Sequence, residues 1–322
     1  MIEQSTSPSA PPIRWHIVTG KGGVGKTTVA SALALALADA GKKVLLAEIE
    51  GRQALARVLD TAPLGYGEEK ILIGKTGGAV HGIAVDAETA LIDYLEIFYS
   101  MGKAARGLRR LGAIDFATTI APGVRDVLLI GKITEALRRR DNAGEYIYDA
   151  VVLDAPPTGR VARVLGAAHE VAQLVKIGPL KRHGELVTSM LADPSTALHL
   201  VTLLEDMPVR ETIESVPELR SLGIAFGSVI GNRTSPVPLP AGRITQVDIA
   251  RALDAAGLPT SRTMLASLAE QTRGHRQRQD NETEHRASLE TLGLPYVELP
   301  QLFGGINRAA VRELGTRLGD FA

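Results

Sequence analysis

Gly20, Lys21, Gly22, Gly23, Val24, Gly25, Lys26, Thr27 and Thr28 are the stretch whose residue types and spacing spell out a chemistry. They satisfy G-x-x-x-x-G-K-[ST] in full, between an apolar run and an alanine-rich helical pattern, the context that gives such a match meaning. Glycines let backbone N–H groups turn inward toward phosphate oxygens, and a helix N-terminus behind them adds positive potential. Lys26 can then reach the β- and γ-phosphates, and the Thr27 hydroxyl can hold Mg²⁺. The chemistry implied is binding of a nucleoside triphosphate. Lys21, directly after the first glycine, is a second cation that the motif does not require.

The elements that must position this loop are legible around it. Residues 13–19 read as a buried strand, 26–40 as a helix stopped by Gly41, and 44–50 as a second buried strand, completing a βαβ unit. Ligands of such open sheets collect at the C-terminal ends of the strands, which puts Glu50, Gly51, Arg52 and Gln53 beside the loop. Residues 148–153 form another apolar strand pattern ending in Asp154, where a phosphate-loop NTPase places a carboxylate near Mg²⁺. Pro156, Pro157 and Gly159 then favour a turn able to respond to the γ-phosphate. A short strand at 227–231 delivers Asn232 and Arg233, and an asparagine there can donate to and accept from an adenine edge. As an ordinary turn residue it has a plainer use.

Further strands are expected at 80–86, 198–203 and 295–299, with 61–78 a glycine-rich loop. Helical patterns cover most of 87–140, 166–191 with a break near Gly178 and Pro179, 208–222, parts of 244–293, and 307–318. The expected fold class is α/β: a phosphate-loop NTPase with a mostly parallel twisted sheet flanked by helices and an inserted helical subdomain. That domain spans 13–322 after a flexible leader at 1–12, with the insertion at about 87–140 and a second one at 166–195.

Composition narrows function by exclusion. Lys plus Arg and Asp plus Glu both number 36, so no global field draws the chain to nucleic acid or an anionic membrane. Cysteine is absent, which removes disulfides, cysteine-bound zinc and iron–sulfur clusters. The leader has no basic start and no apolar core, and no uncharged apolar stretch reaches the ~18 residues of a membrane span, so a cytoplasmic location is expected. The mixed-charge run at 270–286, with Arg273, His275 and Arg276, reads as a solvated helix face.

The glycine-rich loop with its extra lysine resembles the deviant Walker A group of ATPases. With residues 47–55 (Ala-Glu-Ile-Glu-Gly-Arg-Gln-Ala-Leu) and 154–160 (Asp-Ala-Pro-Pro-Thr-Gly-Arg), it resembles the anion-transporting ATPase family, which contains the arsenite-pump ATPase and the tail-anchored-protein targeting ATPase. The helix start at 208–212 and the Asn232-Arg233 turn agree in spacing. Gly51-Arg52-Gln53 and residues 121–128 (Ala-Pro-Gly-Val-Arg-Asp-Val-Leu) resemble the actinobacterial branch of that family.

The resemblance implies an ATP- and Mg²⁺-dependent dimer, of two copies or with a paralogue. Lys21 would cross to the partner's nucleotide, and switch segments would lie at 50–55 and 154–160. Glu50 stands where better-known members carry the aspartate that orients water; the extra methylene matters where positioning supplies most of the catalysis, so hydrolysis is expected to be slow or partner-dependent. Without cysteine, neither the metalloid site of one branch nor the dimer zinc of the other can exist here. With five methionines in the chain, a methionine-lined client groove is not expected either. The leading expectation is an ATPase switch that handles a hydrophobic or membrane-associated client or a transporter partner. The alternatives are a nucleotide-gated binding module with negligible turnover and a partition-type DNA-associated ATPase, the last opposed by the balanced charge.

Overall fold

The computed structural model describes residues 11–49, 53–99, 123–240 and 242–319, without the side chains of 97–99. In chain order the described elements are β1 (Trp15–Gly20), α1 (Lys26–Asp39), β2 (Lys43–Ile49), α2 (Ala54–Leu59), β3 (Glu69–Ile73), β4 (Ala79–Val85), α3 (Ala87–Tyr99), α4 (Val124–Arg138) and β5 (Ala150–Asp154). There follow α5 (Thr158–Leu174), α6 (Pro179–Leu191), β6 (Thr196–Leu203), α7 (Asp206–Ser221), β7 (Phe226–Thr234), α8 (Gln246–Ala255), α9 (Arg262–Glu290), β8 (Tyr296–Pro300) and α10 (Arg308–Thr316). Most of the leader, the 100–122 part of the expected insertion with Met101, Ala121 and Pro122, and the side chain of Phe98 lie outside the described residues.

One eight-stranded sheet runs in the order β3-β4-β2-β5-β1-β6-β7-β8. Every neighbouring pair is parallel except β3 with β4, which is antiparallel. This is the mostly parallel α/β sheet that the sequence leads one to expect. Central strands are apolar on both faces because helices cover both. Trp15, Ile17, Leu45, Ala47, Val151 and Leu153 pack under α4, α5, α6 and α7. Their alternates, Val18, Val44, Leu46, Ala150 and Val152, pack under α1, α2 and α10. A period of two along each strand thus assigns residues to two cores, and α1 is buried along most of its length between sheet and α10.

Two expectations change. Residues 61–78 are not all loop, because β3 forms at the sheet edge against β4. Its side chains are half-buried or exposed, its register shifts between Lys70 and Leu72, and glycines flank it, so a five-residue edge strand leaves little alternation to detect. Arg273, His275 and Arg276 lie on α9, but His275 and Arg276 reach the carbonyls of Val237, Pro240 and Gly242 and brace the loop before α8. No described helix is long and apolar enough to cross a membrane.

A neutral polar chain crosses the core at the opposite end of the strands from the phosphate loop. His16 Nδ1 lies 3.1 Å from His199 Nε2, and His199 Nδ1 lies 2.9 Å from Ser228 Oγ. All three side chains are buried. Burial lowers the pKa of both imidazoles, that of His199 to about 4, and the neighbouring His199 lowers His16 further. Gly227 makes room for this ring, since a Cβ there would sit 2.4 Å from His199 Cε1.

Candidate nucleotide site

β1 ends at Gly20 and α1 begins at Lys26, so 21–25 form a turn at the C-terminal edge of the sheet. Two glycines are dictated by geometry. A Cβ on Gly20 would stand 2.0 Å from the Val201 carbonyl oxygen of β6, so only glycine allows that approach. Gly25 has φ 92° and a Cβ there would meet Asn232 Nδ2 at 2.4 Å, so it combines a left-handed backbone with a close contact. Val24 is buried and anchors the loop to the core under α1. Gly22 and Gly23 are exposed, with nothing near the place a Cβ would take.

Lys26 and Thr27 open α1, and Thr28 follows in its first turn. Thr27 Oγ1 donates to Asp154 Oδ2 at 2.6 Å, and Lys26 Nζ donates to the Lys21 carbonyl at 3.1 Å. Strand register explains the first contact: β5 pairs with β1 so that Asp154 lies opposite Val18, just before the loop. A hydroxyl and a carboxylate meeting at the head of a helix are hard oxygen donors of the kind Mg²⁺ takes, and the pair fits that ion. Among the described residues no three His, Cys, Asp or Glu side chains gather into a larger metal cluster.

The turn after Asp154 is tied down on both sides. Thr19 Oγ1 donates to the Pro156 carbonyl at 2.7 Å, and Thr158, the first residue of α5, donates through Oγ1 to Glu211 Oε1 at 2.5 Å. Glu211, on α7, also receives Lys21: Nζ to Oε2 is 2.9 Å. Burial pushes the Glu211 carboxyl up, but the bonds from Thr158 and Lys21 and the charges of Lys21 and Lys26 outweigh it, holding it below the ordinary glutamate range. Lys21 is therefore not a solvated lysine but one arm of a bridge between the loop and two helices.

Asn232, at 5% exposure, donates through Nδ2 to the Val24 carbonyl at 2.8 Å and accepts from the Arg233 N–H at 3.0 Å. It clamps β7 to the phosphate loop. A primary amide has two N–H donors and two acceptor lone pairs, so one of each remains for a base edge. Arg233 is exposed and left-handed, φ 57°, an uncommon conformation for a residue with a Cβ. Beside them a cavity of about 550 Å³ opens between β6, β7 and α9, with Leu203, Asp206, Arg278, His285 and Gln301 on its walls.

Glu50, Gly51 and Arg52 lie outside the described residues. Their neighbours are held by Glu48, to which the sequence reading gave no role, and by Gln53. Glu48 is 2% exposed and accepts backbone N–H bonds from Gln53, Ala54 and Leu55 at 2.6, 2.9 and 3.1 Å, building the start of α2. Gln53, left-handed at φ 54°, exchanges side-chain bonds with the backbone of Leu64. An acid in an otherwise apolar strand was the available signal for Glu48, since an ionised carboxylate is buried only where donors meet it. Glu211 gave no such signal, because its meaning depends on what three elements bring together.

The model of the anion-transporting ATPase family matches residues 13–190. The ATPase BagA of Mycobacterium tuberculosis is 44% identical over 314 residues, which cover 95% of this chain and 92% of that protein. The ATPase GET3 of Kluyveromyces lactis is 25% identical over 260 residues, covering 68% of this chain and 72% of that one. With an actinobacterial ATPase similar along nearly its full length and the family model matching the phosphate loop through the helices after Asp154, this chain belongs to the anion-transporting ATPase family.

Proposed function

We propose that the protein is a Mg²⁺-dependent ATPase switch whose nucleotide state controls association with a second subunit and, through it, the handling of a hydrophobic or membrane-associated client. The observation that carries this reading is the 2.6 Å contact between Thr27 and Asp154 at the head of α1, in a loop that supplies Lys26 beside it. When bound, Mg²⁺ would supply positive charge that offsets the charge developing on the transferring group. Thr27 would hold it directly and Asp154 directly or through water. Lys26 would leave the Lys21 carbonyl for the phosphates, and the backbone N–H groups of 22–25 would surround them. Asn232 would use its remaining donor and acceptor on adenine, with Arg233 beside it.

Water activation falls to Glu50 in this reading. Glu48, the other acid at the end of β2, is committed to three backbone N–H groups and is placed to shape that segment instead. A nucleotide-gated module with negligible turnover is the second reading, favoured by glutamate in place of aspartate at position 50. Two copies, or this chain and a paralogue, would form the working assembly, in the cytoplasm and at a membrane only through a partner. The helical region 87–140 and 166–195 is the proposed place of client contact. A cavity of about 290 Å³ described there is lined mainly by apolar surface, with Tyr66, Tyr94, Leu128 and Leu186 beside the polar Lys132 and His183.

Light scattering with and without Mg²⁺–ATP, together with single-turnover phosphate release, tests the reading. Association that depends on Mg²⁺–ATP and phosphate release strongly lowered by Lys26→Ala or Asp154→Asn are expected. No change in mass with nucleotide would sink the switch, and association with phosphate release indifferent to both substitutions would leave only the gated module.

A further inference from the structure

Glu211 lies outside the phosphate loop and outside the Asp154 turn, yet it touches both. One carboxylate oxygen takes Lys21 at 2.9 Å and the other takes Thr158 at 2.5 Å. The side chains of Lys21 and Glu211 are 28% and 33% exposed, so the pair is screened only in part and can be exchanged without unfolding anything. Thr158 is buried at the first position of α5, four residues after Asp154, and Thr19 pins the intervening Pro156 carbonyl to β1. Lys26 stays on its own loop while Lys21, five residues earlier, is drawn off sideways to α7.

Two anions therefore compete for Lys21: the carboxylate of Glu211 and any polyphosphate in or facing the loop. A triphosphate carries several charges against one, and it would sit beside the Asp154 turn from which Thr158 extends. We propose that Glu211 is a positioning residue that restrains Lys21 on its own subunit in the nucleotide-free chain and passes the state of the Asp154 turn to it. Lys21 reaches a second subunit's phosphates only after this bridge opens. The inference rests on the reading above that the loop holds a triphosphate and that a second subunit faces it. Its distinct content is that Glu211 opposes nucleotide-driven association, so that removing its charge promotes the assembly.

The test is Glu211→Gln, which keeps shape and hydrogen-bonding capacity and removes the charge. In the nucleotide-free full-length chain, amine acylation at Lys21, followed by peptide mass spectrometry, is expected to rise roughly two- to fivefold, the scale of a partly exposed ion pair. Lys181, paired with Glu185 on α6, serves as the unaffected control. With Mg²⁺–ATP, the protein concentration for half-association is expected to fall by a similar factor. Lys21 acylation unchanged in the variant overturns the bridge. Acylation that rises while association is unshifted or weakened, in a wild type that does associate, overturns the restraint. A wild type that binds Mg²⁺–ATP without associating overturns the switch reading and the restraint together, whereas raised Lys21 acylation still identifies the bridge itself.

Discussion

Two polar networks cross the strands of this sheet, one at each end, and they obey opposite rules. At the C-terminal edge, Thr27–Asp154 and Lys21–Glu211–Thr158 join charged and neutral groups that keep some contact with solvent. Toward the other end, His16–His199–Ser228 is neutral and sealed within the core, with His16 Nε2 left unpartnered at its end. Charge left partly in water can change partners at small cost, whereas a neutral chain in the interior is stabilising only while every link is kept. The first network is suited to answering a ligand and the second to fixing the packing of β1, β6 and β7.

The sharpest way to break this contrast is to perturb each end and read both outputs. Lys26→Ala should lower single-turnover phosphate release by about 10²–10³-fold, the usual effect of losing one preorganised charge donor, while the thermal midpoint stays near wild type. A large fall in midpoint would show that the loop lysine is structural and collapse the distinction.

Acid should act on the other network. Both imidazoles have folded-state pKa values below the unfolded value, so between about pH 6.5 and about 4 the unfolded chain binds more protons and stability falls as pH falls. The His199 shift alone corresponds to a loss of up to roughly 3 kcal/mol by the low end of that window. Urea titrations at several pH values would measure it. His199→Phe should flatten the dependence, and a curve of unchanged slope would refute the assignment.

Gly227→Ala places a methyl against the His199 ring, which is buried and hydrogen-bonded at both nitrogens. It should destabilise by about 1–3 kcal/mol and leave nucleotide affinity alone, as a denaturant midpoint and a fluorescent-nucleotide titration would show. The smallest effect belongs to Arg210→Ala, next to Glu211 in sequence but paired with Glu214 on the exposed face of α7. The denaturant midpoint and Lys21 acylation should both match wild type. A larger change there would mean that the bridge extends along α7 beyond Glu211.

Most of the sheet could be read from the chain, because parallel strands buried on both faces are continuous apolar runs and glycine or proline marks their ends. Such runs led to β1, β2, β4, β5, β6, β7 and β8 within a few residues. β3 escaped because an edge strand carries half the burial signal, and α2 because six residues are too few for a helical period. Of the site, Lys26, Thr27 and Asp154 were legible since motif and strand end fix their place independently. Asn232 was legible as a position, but its clamp on Val24 was not, since 208 residues separate the two partners.

By itself the sequence determined the βαβ frame, the phosphate loop and its attendant Asp154, for these depend on residue types at short fixed spacing. Only the tertiary structure decided which side chain meets Lys21. Its partner Glu211 lies on α7 and their common neighbour Thr158 on α5, and charges so distant along the chain meet only when the sheet order brings β5, β1 and β6 side by side.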